Sequence, residues 1–351
     1  MPKKDASMGG IWGGKLGGDK EKMRPRTQIA ALAVVVIIAI GTTALPAMAG
    51  TTDSSTGSFN LGNAAPSVTV ALYESNESTS ASEMTPPTEY AVKIDVSDSN
   101  TLNDIDEIKV VIKKDGYSGS DDVHNQSTYK WTHSGWQFVG PTDTLWSLET
   151  SSAPGDLNAT AGTWWLHFKP SKVATEANWD IEVTAKDNSS ATSTNSTQDI
   201  PMRLYIEISA VDASYSFGNV TLNTTKNNIT DPDDGNIGVT AIANGAYKLK
   251  SKTNTTWTGQ NTSDVATVNS SSGTLDDGEI RLIDNAANNY NGGSKVKTDE
   301  YQAIAGYDSL TGPTSETGAS HNIYQWLDVA AKGLLPDTYQ GTYYVQIADA
   351  A

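Results

Sequence analysis

Apolar and polar residues alternate along most of the chain after residue 66, and this period of two constrains the fold more than any other feature. Residues two apart in an extended strand point to the same face. Val68, Val70 and Leu72 form one such set, and similar runs occupy residues 92–96, 108–112 and 179–185. No stretch after residue 49 keeps a helical period of 3.6. One buried face and one solvated face per strand predicts an all-β protein with antiparallel sheets.

The spacing of turn-rich segments predicts two β-sandwich domains, 59–208 and 209–351, after a flexible leader at 50–58. Residues 187–198 are rich in Ser, Thr and Asn, and we interpret them as a hairpin loop, because the alternation resumes at 202–208 and would complete the first sheet. In the second domain, Asn244-Gly245 lies between two apolar-bearing runs, which favours a type I′ hairpin.

Residues 1–49 have the pattern of a Sec-type export signal. Basic residues precede an apolar run at 29–40, and Ala47-Met48-Ala49 forms a small-residue cleavage site. The run of twelve apolar residues is short for a membrane span. We predict cleavage after Ala49 and an extracellular or cell-surface location. If the segment is retained, it forms an N-terminal anchor helix, and residues 29–49 are the chain's contact with the membrane.

The charge and the cysteine content exclude several classes of function. Residues 1–49 carry seven Lys or Arg and three Asp or Glu, so their removal would change the formal net charge from −17 to −21. So acidic a surface repels nucleic acid and anionic membranes. The chain has no cysteine, which excludes disulfides, thiolate metal sites and thiol nucleophiles. An exported chain of this kind must be stabilised by its hydrophobic cores.

Eleven Asn-x-Ser/Thr triplets follow the export segment, and they are the predicted N-glycosylation sites. A glycan is bulky and hydrated, so each modified Asn must face solvent. The alternative is that a chain rich in Ser, Thr and Asn forms such triplets by chance. The acceptor positions are Asn76, Asn125, Asn158, Asn188, Asn195, Asn219, Asn223, Asn228, Asn254, Asn261 and Asn269.

Acidic and amide side chains crowd the turn after residue 94, and calcium is the candidate cofactor there. Hard cations such as Ca²⁺ take six to eight oxygen ligands. The candidate ligands are Asp95, Asp98, Asp104 and Asp106, with Asn100 and Asn103 close in sequence. The alternative is that Asp and Asn cap turns through bonds to the backbone. A second acidic loop, 231–236, begins like an EF-hand loop, but a glycine stands at its third ligand position.

Tryptophans suggest a second kind of site, because aromatic faces stack on sugar rings. Trp179 and Trp326 alternate with apolar residues and are predicted to be core residues. Trp136, Trp165 and Trp257 are the candidates for an exposed carbohydrate-binding surface. The four histidines are scattered and no catalytic motif occurs, so we predict that the protein is not an enzyme.

Assembly with other copies of the chain is the third possibility. The leader ends in Phe59 and Leu61, and the last strand pattern, at 339–347, is a candidate sheet edge. A flexible segment of one subunit that adds as a strand to the next would build a filament. The alternative is an ordinary leader and a last strand that is paired within its own sheet.

Several stretches resemble modules of secreted archaeal cell-surface proteins, which are built as immunoglobulin-like β-sandwiches behind an export signal. These stretches are residues 61–66, 96–105, 162–168, 179–187, 217–218 and 335–345. The resemblance implies a structural component of a sheath, an S-layer or a filament, whose partners are copies of itself or other surface proteins. The alternative function is a surface adhesin that binds glycans through exposed tryptophans.

Overall fold

The computed structural model describes residues 54–142, 145–232 and 234–350. The chain divides into two units, residues 1–59 and residues 60–351. In the first unit only residues 54–59 are described, and they contain no helix or strand. The predicted signal peptide or anchor helix lies outside the described residues. Among the described residues, no helix is long and apolar enough to cross a membrane.

The first part of the second unit is built from nine strands in two antiparallel sheets. One sheet has the order β1-β2-β7-β6 and the other has the order β5-β4-β3-β8-β9. A single turn of 3-10 helix, Leu102–Asp104, leads into β3. The strands are β1 (Ser67–Glu74), β2 (Tyr90–Ser97), β3 (Ile105–Lys114), β4 (Gln126–Thr132), β5 (Gly135–Gly140), β6 (Ser147–Leu148), β7 (Ala161–Lys169), β8 (Asn178–Asp187) and β9 (Thr192–Pro201).

The inward faces of these two sheets share one core. Alternate residues of β2, β3, β7 and β8 are buried, as the period of two predicted. Trp179 lies in this core and is fully buried, so its predicted core position is confirmed. Packed apolar layers of two sheets are the main source of stability in such an arrangement.

The second part contains the remaining strands, in one large sheet and one small one. The large sheet runs β10-β12-β19-β16-β15-β14-β20, with β11 paired to β19 and β17 paired to β16, and the small sheet is β18-β13-β21. These strands are β10 (Ile206–Val211), β11 (Thr224–Asn228), β12 (Ile237–Ala243), β13 (Tyr247–Thr253), β14 (Thr256–Gly259), β15 (Val265–Val268), β16 (Glu279–Asn285), β17 (Ser294–Lys295), β18 (Gln302–Ala303), β19 (Ala319–Val329), β20 (Tyr339–Gln340) and β21 (Tyr343–Asp349); a second 3-10 turn is Tyr290–Gly292.

A separate core fills the second part, and it includes Leu249, Leu282 and Leu327. Trp326 is buried in its large sheet, as its alternation with apolar residues predicted. The pairing of β15 with β16 is parallel, whereas the sequence predicted antiparallel sheets throughout. The described residues form strands and two short 3-10 turns, so the all-β class is confirmed. The immunoglobulin-like topology stays a prediction.

The junction between the two parts differs from the expectation. Ile206 and Ile208 lie in β10, which pairs with β12 of the second part, so they do not complete the first sheet. Met202, by contrast, packs into the first core. The polar residues 192–198 form part of β9 instead of a loop, because β8 supplies backbone hydrogen bonds that propensity alone does not reveal.

The predicted Asn244-Gly245 hairpin is wrong. β12 and β13 belong to different sheets, and these two residues turn the chain from one to the other. The Asn244 side chain is fully buried. Its Nδ2 donates to the carbonyls of Ala174 and Arg203, both at 2.9 Å, and its Oδ1 accepts from the Tyr205 N–H at 2.6 Å. Contacts distant in sequence therefore override the local turn preference.

We expect Asn244→Ala to lower the free energy of unfolding by about 3 kcal/mol, because it leaves buried backbone groups without partners. The midpoint of urea unfolding, followed by tryptophan fluorescence, measures the change. Asn219→Ala is the matched control, since Asn219 is exposed. Equal midpoints for the two variants would show that the Asn244 bonds contribute nothing to stability.

One buried carboxylate lies in the second core. Asp284 accepts hydrogen bonds from the Ser251 hydroxyl and the Tyr343 hydroxyl at 2.6 Å and from the Gln325 Nε2 at 2.7 Å. Burial raises the pKa of Asp284 to about 6, although the three hydrogen bonds act in the opposite direction. The folded chain therefore holds a proton at this position at pH values where the unfolded chain has released it.

A raised pKa destabilises the folded state as the pH rises. Between pH 4 and pH 6 the Asp284 carboxyl should remove roughly 2 kcal/mol of stability from the wild type. Asp284→Asn should lose this contribution and so show a flatter dependence across that range, whereas the exposed Asp299→Asn should follow the wild type. Urea unfolding at half-unit pH steps tests this, and parallel curves for Asp284→Asn and the wild type would contradict it.

Candidate metal centre

Three carboxylates from distant parts of the chain meet at one end of the first part. Ligand oxygens of Asp98, Asp104 and Asp187 all lie within 4.8 Å of one another. Asp98 is 2 % exposed and Asp187 is fully buried, while Asp104 is partly exposed. This is an arrangement of oxygen ligands that a divalent cation could share.

Strand alternation explains why two of these acids are buried. In β2 the inward positions include Val92, Ile94 and Val96, and Asp98 occupies the next inward position. Asp187 is the last inward residue of β8. Asp104 ends the 3-10 turn before β3, and the pairing of Ile105 with Asp187 brings it beside β8.

The hydrogen bonds leave one buried oxygen without a partner. The Oδ1 of Asp98 accepts from the Asn100 N–H at 2.7 Å. Its Oδ2 is buried and has no hydrogen-bond partner among the described residues. An unpaired buried polar atom is costly, so such atoms in a folded protein call for an explanation such as a bound ion.

The other two carboxylates are partly satisfied by their surroundings. Burial alone would raise the pKa of Asp187, but hydrogen bonds lower it below its ordinary value, chiefly from the Asn63 side chain at 2.8 Å and the Ala191 N–H at 2.8 Å. Asp104 Oδ1 accepts from Asn188 Nδ2 at 3.2 Å. Asp187 is thus held in its charged form.

No Lys, Arg or His within the described ranges forms an ion pair with any of the three acids. Two unit charges 4.8 Å apart repel by roughly 3 kcal/mol at an effective dielectric constant of about 20. The charge of Lys186 helps to lower the pKa of Asp187, but its ammonium is paired with Asp106, so the three acids share no ion-pair partner of their own.

Two of the predicted calcium ligands lie elsewhere, and this corrects the sequence interpretation. Asp95 lies on β2, where it pairs with Lys93 at 2.9 Å and accepts from Thr163 at 2.5 Å. Asp106 lies on β3 and pairs with Lys186 at 2.8 Å. Asp95 lies between the inward-facing Ile94 and Val96, so it faces outward, and Asp106 lies at the β-bulge of β3, where the pairing with β8 shifts between Ile105 and Glu107. The acidic loop at 231–236 forms no comparable cluster among its described residues.

Asp187 was missed because it lies far from the acidic turn in sequence. One signal could have found it. The alternation Val183, Ala185, Asp187 puts a carboxylate at an inward position, where an unpaired charge is rare. The same reasoning selects Asp98 over Asp95.

An open pocket of about 360 Å³ has Asp104 in its lining, whereas Asp98 and Asp187 do not line it. Since a water molecule occupies about 30 Å³ in the liquid, this volume holds an ion and several waters. Amide side chains supply further oxygens. The lining residues are Leu61, Asn63, Asn100, Thr101, Asn103, Asp104, Asn188 and Ser189.

The predicted glycosylation sites all lie at positions that reach solvent. Asn125 and Asn269 are half-buried, and the other nine acceptors are exposed: Asn76, Asn158, Asn188, Asn195, Asn219, Asn223, Asn228, Asn254 and Asn261. They occur in both parts of the protein. Glycosylation at these positions stays a prediction, and Asn188 also lines the pocket beside Asp104.

The three candidate tryptophans do not form the expected exposed set. Trp257 is only 8 % exposed and packs in the second core, because it lies on the inward face of β14. Trp136 is half-buried, and its Nε1 donates to the Ser152 carbonyl at 3.0 Å. Trp165 is half-buried and packs edge-on against Tyr73, with ring centroids 5.4 Å apart.

The predicted assembly residues are strongly exposed. Phe59 is 87 % exposed and Leu61 is 82 % exposed. Strand β21 lies at one end of the small sheet and pairs only with β13 among the described strands. The expectation of a sheet edge near the end of the chain is confirmed.

Known proteins resemble this chain only distantly. No protein-family model and no curated protein sequence matches it significantly. A DUF4466 family protein from Parabacteroides merdae has a TM-score of 0.26 and 11% identity, over 74% of this chain and 98% of its own. The C-terminal domain of the Streptococcus agalactiae AgI/II polypeptide BspA has a TM-score of 0.23 and 11% identity, over 80% of this chain and 95% of its own. TM-scores this low do not establish a shared fold.

In metal-free buffer we expect Asp98→Asn to raise the free energy of unfolding by about 1–3 kcal/mol. The amide oxygen can still accept from the Asn100 N–H, and the new NH₂ group removes a repelling charge and can donate to Asp104 or Asp187. Asp95→Asn is the control, and its exposed ion pair should contribute little. Chemical unfolding in EDTA measures both, and a destabilised Asp98→Asn would contradict the electrostatic interpretation.

Proposed function

We propose that this protein is a non-enzymatic structural component of a cell surface, exported and N-glycosylated, and that its copies assemble into a sheath, layer or filament. The observation that carries the proposal is the placement of the eleven acceptor asparagines, none of which is buried. A chain that makes such triplets by chance has no need to keep every one accessible.

The absence of cysteine and the two packed cores fit an exported protein that owes its stability to apolar burial. The histidines offer little for catalysis. Both ring nitrogens of His167 form hydrogen bonds, Nε2 with Glu77 at 2.9 Å and Nδ1 with Glu89 at 3.0 Å. The Nε2 of His321 forms a hydrogen bond with the Tyr247 hydroxyl at 2.7 Å. The alternative function, an adhesin that binds glycans through exposed tryptophans, is weakened because Trp257 is buried.

Two features suit assembly by strand addition. The backbone of β21 alternates between facing β13 and facing outward. The Thr342 carbonyl accepts from the Asn254 N–H, and the Ala350 N–H donates to Ala246, so the even-numbered residues face β13. The N–H and C=O groups of Tyr343, Val345 and Ile347 therefore point to the open edge. An extended segment from another copy can pair there, and residues 54–61, a mostly polar stretch that carries Phe59 and Leu61, are the candidate for that segment.

Negative-stain electron microscopy of the exported form, predicted to be residues 50–351 and purified from cells, tests this role. We expect regular filaments or sheets. A Phe59→Ser, Leu61→Ser double variant should lose them while its circular dichroism stays unchanged, because both side chains are exposed. Ser58→Ala, in the same segment, should assemble like the wild type.

Monodisperse particles under all conditions, with and without millimolar Ca²⁺, would rule out self-assembly as the main role. Mass spectrometry of glycopeptides from the same preparation tests the glycosylation separately. We expect sugars on several of the nine exposed acceptors, and a preparation without any glycan would overturn that part of the proposal.

A further inference from the structure

We propose that Asp98, Asp104 and Asp187 bind one calcium ion, and that this ion holds residues 60–66 against the first part of the protein. The strongest observation is the buried Oδ2 of Asp98, which has no hydrogen-bond partner among the described residues although its residue is 2 % exposed. This oxygen belongs to a group of three carboxylates, and in the described part of the chain no basic side chain forms an ion pair with any of them. A cation supplies the missing partner and the missing charge.

The spacing of the oxygens fits calcium. Ca²⁺ lies about 2.3–2.6 Å from its ligands, so two oxygens on opposite sides of the ion are about 5 Å apart. The 4.8 Å limit on the separation of the three carboxylate oxygens falls within that span. Mg²⁺ demands near-octahedral geometry at about 2.0–2.1 Å and usually keeps several waters beside one or two carboxylates, so a group of three carboxylates is more typical of Ca²⁺.

Further oxygen ligands lie in the pocket that Asp104 lines. Three carboxylates supply up to six oxygens, and calcium accepts six to eight from carboxylates, amide carbonyls and water. Asn103 lines the pocket. The Asn63 side chain also lies there, and only its Nδ2 is committed to Asp187. The pocket is open, which leaves room for the waters that complete the shell.

The site is linked to the segment that precedes β1. Asn63 Nδ2 donates to Asp187 at 2.8 Å, and the Ala64 N–H donates to Asn100 Oδ1 at 3.0 Å. Asn100 in turn donates its N–H to Asp98. Each anchor of the segment therefore ends on a residue that carries a calcium ligand or adjoins one. Without the cation, repulsion among the carboxylates loosens the groups that hold residues 60–66.

Calcium titration of the full chain by calorimetry, after EDTA treatment, tests the site. We expect saturable binding with a dissociation constant of about 10⁻⁴–10⁻³ M or tighter, as in extracellular modules. Asp98→Asn and Asp187→Asn should weaken binding by about tenfold or more. Asp95→Asn and Asp106→Asn are matched controls on the strands that flank the acidic turn, and both should bind like the wild type. Circular dichroism verifies that each variant is folded.

Hydrogen exchange at residues 60–66 tests the second part of the inference. Calcium should slow exchange there in the wild type. Asn63→Ala keeps all three carboxylates, so it should still bind calcium to within about threefold, but the ion should no longer protect the segment. This variant separates loss of the link from loss of the site, and it does not depend on whether the protein assembles.

Three results would overturn the inference. The site is excluded if the wild type shows no saturable binding, or if Asp98→Asn and Asp187→Asn bind calcium as tightly as the controls, which would place the ion elsewhere. Equal affinity for Mg²⁺ would remove the argument for calcium. Binding without slower exchange at 60–66 would leave a cation site that does not hold this segment.

Discussion

The antiparallel pairing of β3 with β8 is the contact on which the first part of the protein depends. It lies in the middle of the five-stranded sheet and places Val110 opposite Val183 in the core. The same ladder ends with Ile105 opposite Asp187, which brings β8 beside the turn that contains Asp104. Core packing and the meeting of the three carboxylates therefore follow from one register. A shift by one residue would turn the buried apolar face to solvent and would also move Asp187 out of the cluster.

The second part depends on a different kind of constraint, the satisfaction of buried polar groups. Asn244 bonds to three backbone groups between Ala174 and Tyr205, and it lies where the chain passes from the large sheet to the small one. Asp284 is a second buried polar group, and within the core it accepts hydrogen bonds from three side chains. Apolar burial stabilises both parts, but these polar contacts select one arrangement of the strands among many that would bury similar areas.

The cluster of Asp98, Asp104 and Asp187 shows how the two kinds of constraint combine. Asp98 and Asp187 occupy inward positions because the alternation of their strands continues past the last apolar residue. Burial of two acids without hydrogen-bond partners would be costly. Asp187 accepts several hydrogen bonds, whereas the Oδ2 of Asp98 accepts none from the described residues. The acids that sequence proximity also suggested, Asp95 and Asp106, each have a lysine nearby on the same sheet. Acids only a few residues apart in sequence therefore differ in environment: Asp98 is buried in the cluster, whereas Asp95 and Asp106 form ion pairs at the surface.

Local patterns in the sequence determined the all-β class, most of the strands, the core positions of Trp179 and Trp326, and the acidic turn in which two of the three carboxylates lie. The class, the strands and the core positions follow from a period of two, and the acidic turn follows from a run of Asp and Asn, so both are properties of neighbouring residues. Tertiary structure alone decided that Asp187 completes the cluster, that Ile206 and Ile208 join the second part, that Trp257 is buried, and that Asn244-Gly245 is a corner and not a hairpin. The reason is physical: each of these depends on which strands pair and on which distant groups satisfy a buried donor or acceptor, and neither is encoded by residues adjacent in the chain.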